Sequence, residues 1–229
     1  MAARTSTRPA AVVALLLSAA CSGPAAETDS ATSTPGRCDP TEPETGYRAL
    51  FDGTRESLDA WRMAGPGSFE LQEDCTLLTV GGMGLLWFPE ELGAYRLRLD
   101  WRVEGDDNSG VFVGFPEPGE DPWVAVEHGY EIQIDMSDRP DRTTGAVYTF
   151  QSADLPARDV ALNPPGKWNT YEIVVQAPTI SVRLNGVLVT EYESTDPERD
   201  LGSGHIGLQN HGDDDAVSFR HVRLAELDP

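Results

Sequence analysis

Short alternating or wholly apolar runs recur along this chain between Gly, Pro, Asn and Asp turn signals, and no stretch sustains a helical period. They fall at 68–71, 77–80, 84–88, 95–104, 110–115, 130–135, 145–148, 169–176, 179–184, 187–193, 205–210 and 216–227. Many short strands of this kind predict an all-β domain over residues 46–229, two sheets packed as a jelly-roll sandwich. Asn185-Gly186, set between Val182-Arg183-Leu184 and Val187-Leu188-Val189, predicts a type I′ hairpin, because both positions tolerate positive φ. Pro116–Pro122 and Ser152–Pro165 read as long connections.

The strictest alternation is in His128-Gly129-Tyr130-Glu131-Ile132-Gln133-Ile134-Asp135. From Tyr130 onward, Tyr130, Ile132 and Ile134 share one face of a strand and Glu131, Gln133 and Asp135 the other. Alone, such a polar row is most often a solvent-facing sheet surface. Here Trp101, Arg102, Asn108, Tyr148 and Gln209-Asn210-His211 fall on or beside other expected strands. Carboxylates, amides and aromatics gathered on one curved sheet face make a sugar-binding groove. Trp101 alternates with Tyr95, Leu97, Leu99 and Val103 and so reads as core, which turns Arg102 toward the opposite side. Trp61 and Trp168-Asn169 read as core and turn residues, and His128, His205 and His221 as surface or turn histidines.

Residues 1–20 read as a targeting segment: Arg4 and Arg8, an apolar run from Ala10 to Leu17, then Ser18-Ala19-Ala20 ahead of Cys21. The run is too short for a permanent membrane span. A Cys after small residues resembles a bacterial lipoprotein signal, in which Cys21 would carry the lipid. Ser18 stands where Leu is usual, and an ordinary secretory signal is the alternative. Residues 21–45 hold almost no large apolar side chain, so a flexible tether is expected. The protein is thus expected at the cell envelope, held to the membrane by its lipid alone, or secreted. With Cys21 so used, Cys38 and Cys75 are an even pair in an oxidising compartment, and a disulfide between them is expected. The formal net charge is −21, and −23 without residues 1–20, which hold two Arg and no acid. A surface this acidic argues against nucleic acid and anionic lipid as partners and suits an uncharged ligand. A monomer is expected.

Seven segments, in order, resemble one family. They are Leu50-Phe51-Asp52-Gly53 through Trp61; Leu97-Arg98-Leu99-Asp100-Trp101-Arg102 with Asn108-Ser109-Gly110-Val111-Phe112; Gly129 to Asp135; Gly145-Ala146-Val147-Tyr148; Gly166-Lys167-Trp168-Asn169; Leu184-Asn185-Gly186; and Ile206 to Gly212. Together they resemble the 3-keto-disaccharide hydrolase domain, a family with a concanavalin A-like jelly-roll fold. The resemblance implies an exported enzyme acting on oxidised disaccharides or glycosides. No cofactor is called for. A divalent cation stays open, since Asp213-Asp214-Asp215 and Gly105-Asp106-Asp107 could ligate calcium or be solvated turns.

Wider jelly-roll glucanases carry an E-x-D-x-E strand with two catalytic Glu; here the row is Glu131-x-Gln133-x-Asp135. Positions i and i+4 of a strand lie ~13 Å apart at Cα, whereas retaining hydrolysis places its carboxyls roughly 5–5.5 Å apart. A 3-keto sugar offers another route, because the ketone acidifies the C2 proton and β-elimination can then expel the C1 substituent. Glu131 is the candidate base. Arg102, Asn108 or His211 could stabilise the enolate, and Asp135 or His211 could protonate the leaving oxygen. Gln133, Tyr148, Gln209 and Asn210 are the candidate sugar contacts. A carbohydrate-binding lipoprotein without catalysis is the competing reading. The covalent expectations are checked by intact mass of the exported protein: two hydrogens lost to the Cys38–Cys75 bridge and an acylated Cys21 at the mature terminus. Alkylatable Cys38 and Cys75 would count against the bridge, and a different mature terminus against the anchor.

Overall fold

A computed structural model describes residues 38–228. Residues 1–37, with the targeting segment, Cys21 and most of the expected tether, lie outside the described residues. In chain order the elements are β1 (Arg48–Phe51), α1 (Arg55–Asp59), β2 (Arg62–Ala64), β3 (Ser68–Leu71), β4 (Leu77–Val80), β5 (Gly84–Leu92), β6 (Tyr95–Val103) and β7 (Ser109–Phe115). There follow α2 (Trp123–His128), β8 (Tyr130–Ile134), α3 (Leu155–Ala161), β9 (Asn169–Gln176), β10 (Thr179–Leu184), β11 (Val187–Glu193), β12 (Gly204–Asn210) and β13 (Val217–Glu226).

These strands form the two-sheet jelly roll that the alternation predicts. One sheet has eight strands, ordered β11-β10-β9-β6-β13-β4-β3 with β1 also paired to β13; the other has five, ordered β2-β5-β12-β7-β8. All pairings are antiparallel. Between the sheets lie Leu97, Leu99 and Trp101 of β6, Tyr171 and Ile173 of β9, Val111 and Val113 of β7, and Tyr130, Ile132 and Ile134 of β8, each fully buried. Trp101 is therefore core, and Ile132 and Ile134 point inward as their period requires. Tyr171 Oη reaches across to donate to the Gln133 carbonyl (2.5 Å), tying β9 to β8. Asn185 and Gly186 both have positive φ and close the β10–β11 hairpin between Leu184 and Val187.

Four features depart from the sequence reading. Short helices interrupt the strands: α2 stands between the Pro116–Pro122 loop and β8, and α3 lies within the 152–165 connection. At 5 to 7 residues each, they are too short to show a 3.6 period. Residues 145–148 are not a strand. They line the outer edge of β8 through irregular bonds (Gly145 N to Gln133 O, Tyr148 N to Glu131 O), because Gly145 and Thr149 take positive φ and break the extended run. Residues 38–45 are tied down rather than free: Cys38 is bonded to Cys75 with Cα atoms 5.6 Å apart, Thr41 N donates to Asp52 O, and Glu44 pairs with Arg98 and Arg223. His205 is buried, edge-on to Trp87 and near Phe115, not on the surface.

Asn210, expected to touch sugar, faces inward from the end of β12 and is fully buried. Its Nδ2 donates to the carbonyls of Ser68, Val80 and Gly81, so it staples the two sheets at one corner. The register explains the error: Gln209 and Asn210 are consecutive on one strand and cannot share a face. Asn210→Ala is expected to cost about 2–3 kcal/mol by orphaning buried carbonyls, read as a lower urea midpoint with an unchanged slope.

Candidate functional site

The face of the five-stranded sheet turned away from the core is divided in two. Over one part lies α2, whose Ala125 packs with Ala64, Leu85, Trp87, Phe112 and Phe115 in a second apolar cluster. The helix enters beside β2, where Gly65 N donates to Glu120 O, and leaves beside Phe115, which Gly129 abuts. It therefore covers the face around Phe112 and Phe115, and the polar side chains gather beyond it, at the corner where β7 begins and β8 and β12 end. That corner carries Asn108, Gly110, Glu131, Gln133, Asp135, Gln209 and His211.

Glu131 sits opposite Phe112, and Gln133 opposite Gly110. With no side chain of its own, Gly110 leaves a gap that the Glu131 carboxyl fills: a Cβ at 110 would overlap Glu131 Oε1. Gln209 of β12 flanks the same gap, since Val111 pairs with Leu208 one position along. Glu131 is only 9% exposed, Gln133 1% and the neighbouring Gln209 5%, so of the row expected to line an open groove only Asp135 is more than marginally exposed. Burial pushes the Glu131 carboxyl up to about 8 from an ordinary 4.5, with the neighbouring Gln209 amide pulling the other way.

At the end of the row Asp135 is an acceptor of several donors. Its Oδ1 takes Ser137 N (2.9 Å) and Asp138 N (3.0 Å), and its Oδ2 takes Asn108 Nδ2 (3.2 Å). Asn108 Oδ1 accepts from Gln133 Nε2 (3.5 Å). Asn108 N donates to Asp215 Oδ1 (2.8 Å), and Asp215 Oδ2 accepts from His211 Nδ1 (2.7 Å). His211 is half exposed, which leaves its Nε2 to solvent. On the flank, Tyr148 lies beside Glu131 in the edge ladder, and the Arg142 guanidinium stacks on the Tyr148 ring at 5.4 Å.

The structure thus brings together Glu131, Gln133, Asp135, Asn108, Gln209, His211 and Tyr148. It separates Arg102, which lies on β6 of the other sheet, pairs with Glu104 (3.1 Å) and stacks on Trp168 with Arg220 on the same ring. The alternation of β6 turns Arg102 outward, but outward from the eight-stranded sheet is the far side of the sandwich. Two groups at the corner were missed. Arg142 lies in a turn without periodicity, so only its place before Tyr148 could have flagged it. Asp215 was read as one of a solvated run, yet it orients His211 and holds the Asn108 backbone. The acidic runs are used internally: Asp213 caps Gly82 N, and Asp107 accepts from Gly105 N (2.9 Å) and Ala216 N (3.1 Å). Among the described residues no group of three His, Cys, Asp or Glu is placed to hold a metal ion.

Residues 46–225 match the 3-keto-alpha-glucoside-1,2-lyase-like domain. The chain is 28% identical to a 3-keto-disaccharide hydrolase of Bacteroides thetaiotaomicron, over 80% of this chain and 79% of that protein. It is 27% identical to a 1-aminocyclopropane-1-carboxylate deaminase of Burkholderia cenocepacia over 76% of its length, but spans about half (51%) of that protein. A proposed glycosyl hydrolase from Parabacteroides distasonis superposes with a TM-score of 0.67 at 20% identity, covering 80% of this chain and 94% of that one. The carbohydrate-binding module CBM66 of Bacillus subtilis gives 0.52 at 10% identity, covering 73% and 96%. At such identities these two structures speak for the fold.

A carboxyl whose folded value is raised stabilises the fold fully below its unfolded value and loses that contribution as pH rises through the folded one. For Glu131 the window runs from 4.5 to about 8. Glu131→Gln is therefore expected to match the wild type in stability near pH 4 and to exceed it increasingly up to pH 8–9, by about 5 kcal/mol as an upper bound. Urea unfolding across that range checks it; a constant difference at all pH values would contradict an ionisable group buried at 131.

Proposed function

The chain belongs to the 3-keto-alpha-glucoside-1,2-lyase-like domain family, and from that premise we propose that it cleaves the glycosidic bond of 3-keto-disaccharides or 3-keto-glycosides with Glu131 as the base. The observation that carries this reading is a buried carboxyl, with its proton affinity raised toward neutrality, on the outer face of the smaller sheet. Such a group is poised to take a carbon-bound proton, the task a catalytic base near its working pH performs.

In the proposed sequence Glu131 removes the C2 proton and the electrons move into the C3 ketone as an enolate. The enolate then re-forms the ketone as the C1–O bond breaks, and the departing oxygen takes a proton. Water adds at C1 of the resulting enone and a proton returns to C2, so the sum is hydrolysis. His211, aligned by Asp215 with its Nε2 outward, is the group suited to protonate the leaving oxygen. Asp135 is less suited, its lone pairs being occupied by two backbone amides and Asn108. Arg142, stacked on the Tyr148 ring, takes in this reading the enolate-stabilising role expected of Arg102. Direct double displacement is disfavoured because Glu131 and Asp135 stand four residues apart on one extended segment, ~13 Å at Cα. Action outside the cytoplasm is part of the same proposal; the Cys38–Cys75 bond fits an oxidising compartment, and Cys21 is the proposed lipid site.

A second reading, carbohydrate binding without cleavage, draws on the fold shared with a carbohydrate-binding module. Turnover separates the two. Purified protein is expected to cleave 3-keto but not unoxidised disaccharides, with kcat/KM rising with pH and levelling near 8 as Glu131 ionises. Glu131→Gln should lower kcat by roughly 10²–10⁴-fold with binding retained. In deuterated water the released 3-keto sugar should carry deuterium at C2 beyond that of 3-keto monosaccharide incubated alone. Unlabelled product would remove the elimination route, and sugar binding without turnover would leave the second reading standing.

A further inference from the structure

Three buried oxygens at this corner have no hydrogen-bond partner among the described residues: Glu131 Oε1, Gln133 Oε1 and Gln209 Oε1. All three belong to side chains around Gly110. Gly110 has Gln133 as its cross-strand neighbour on β8 and Gln209 on its β12 side, and the Glu131 carboxyl occupies the gap that Gly110 leaves between them. Directly opposed side chains in such a ladder begin about 4.5–5.5 Å apart, so the carboxyl lies between two amides. The Gln209 amide turns its NH₂ to the carboxyl, so Glu131 Oε1 and Gln133 Oε1 are the two acceptors at the gap that lack a proton.

The direction of the Gln133 amide is not free. An ionised Asp135 can only accept, so Asn108 turns its Nδ2 to Asp135 Oδ2 (3.2 Å). That leaves Asn108 Oδ1 toward β8, where the Nε2 of Gln133 donates to it (3.5 Å). Gln133 Oε1 must then point away from the relay, toward the gap. With Gln133 reversed, its NH₂ would favour an ionised Glu131; in the observed direction its carbonyl can only receive a proton from the acid form.

We propose that Asp135 is a positioning residue which, through Asn108, locks the Gln133 carbonyl toward Glu131 and so holds Glu131 in its protonated form. The other charged or titratable groups around Glu131 are Arg142 and Tyr148 on the flanking segment, Asp215 and His211 beyond β12, and Glu127 and His128 of α2, the last two exposed. None of them is hydrogen-bonded to Gln133 or Glu131 through a side chain. The relay therefore acts on the proton affinity of Glu131 from the far end of the row. This goes beyond the cleavage reading but takes from it only the interest in Glu131 as a base.

The test needs no substrate, so its failure and that of the cleavage reading are distinguishable. The pH dependence of stability, measured for the full chain against the Glu131→Gln variant, gives the midpoint at which Glu131 ionises in the fold. Asn108→Ala keeps the Asp135 charge but breaks the relay, and Asp135→Asn removes the charge and frees both amides to reverse. Each is expected to lower the midpoint by about one pH unit or more, the worth of one hydrogen bond to a charged group. If active, each should also move the rising limb of kcat/KM to lower pH by the same amount. A midpoint unmoved by Asn108→Ala but lowered by Asp135→Asn would overturn the relay in favour of simple charge repulsion. A midpoint unmoved in both would overturn it outright. So would stabilisation of the wild type at pH 9 by added calcium that Glu131→Gln abolishes, because a cation rather than a proton would then join the oxygens.

Discussion

Burial of the Tyr130–Ile132–Ile134 row against the eight-stranded sheet is the constraint on which the candidate site depends. Each of these side chains is fully buried, and together they stabilise the packed sheets by roughly 5–8 kcal/mol. A slip of one residue in β8 would forfeit that burial and turn Glu131 and Gln133 inward. The hydrogen bond from Tyr171 to the Gln133 carbonyl fixes the same strand from across the core. The polar corner is thus held in place by packing on the reverse side of its own strand, at no cost to the polar groups themselves.

Given that register, the corner is defined by one missing side chain and one adjoining helix. Gly110 makes room for a carboxyl in the plane of its neighbours, and α2 with its apolar cluster keeps water from the adjoining Phe112. A carboxyl placed so sheds its charge more readily than it keeps it. The fold thereby carries a destabilising ionisation above neutral pH at the position where a base of high proton affinity is useful, the pattern in which local stability is given up at a working site.

The arginines follow a different logic. Arg98, Arg102, Arg183, Arg220 and Arg223 lie on the outer side of the eight-stranded sheet, each with an acidic neighbour or an aromatic ring beneath it. They offset local acid in a strongly acidic chain and brace strands rather than meet a ligand. Arg142 and Arg199 are at the edges of the smaller sheet. Arg199 reaches the carbonyls of Val126 and Gly129 at the end of α2 while stacking on Tyr130 and Phe150, and so fixes where the helix gives way to β8.

Local chemistry in the sequence was enough to determine most of the strands, the faces of β6 and β8, the Asn185-Gly186 turn and the pairing of Cys38 with Cys75. Alternation, turn residues and cysteine parity each act within a few residues or by elimination, and so can be read without coordinates. The ordered motifs carried the family with them. Which sheet a strand joins, and hence whether Arg102 lies on the side of the sandwich that holds Glu131, is set by contacts between segments far apart in the chain. The same holds for the burial of Glu131, which needs the Gly110 gap on the neighbouring strand, and for the pairing of Asp215 with His211 and Asn108. Asn210 shows the division within two residues: period 2 puts it opposite Gln209, but only the packed corner of Ser68, Val80 and Gly81 gives its amide something to hold. Periodicity fixes the direction of a side chain relative to its own strand; what stands in that direction is decided by tertiary packing.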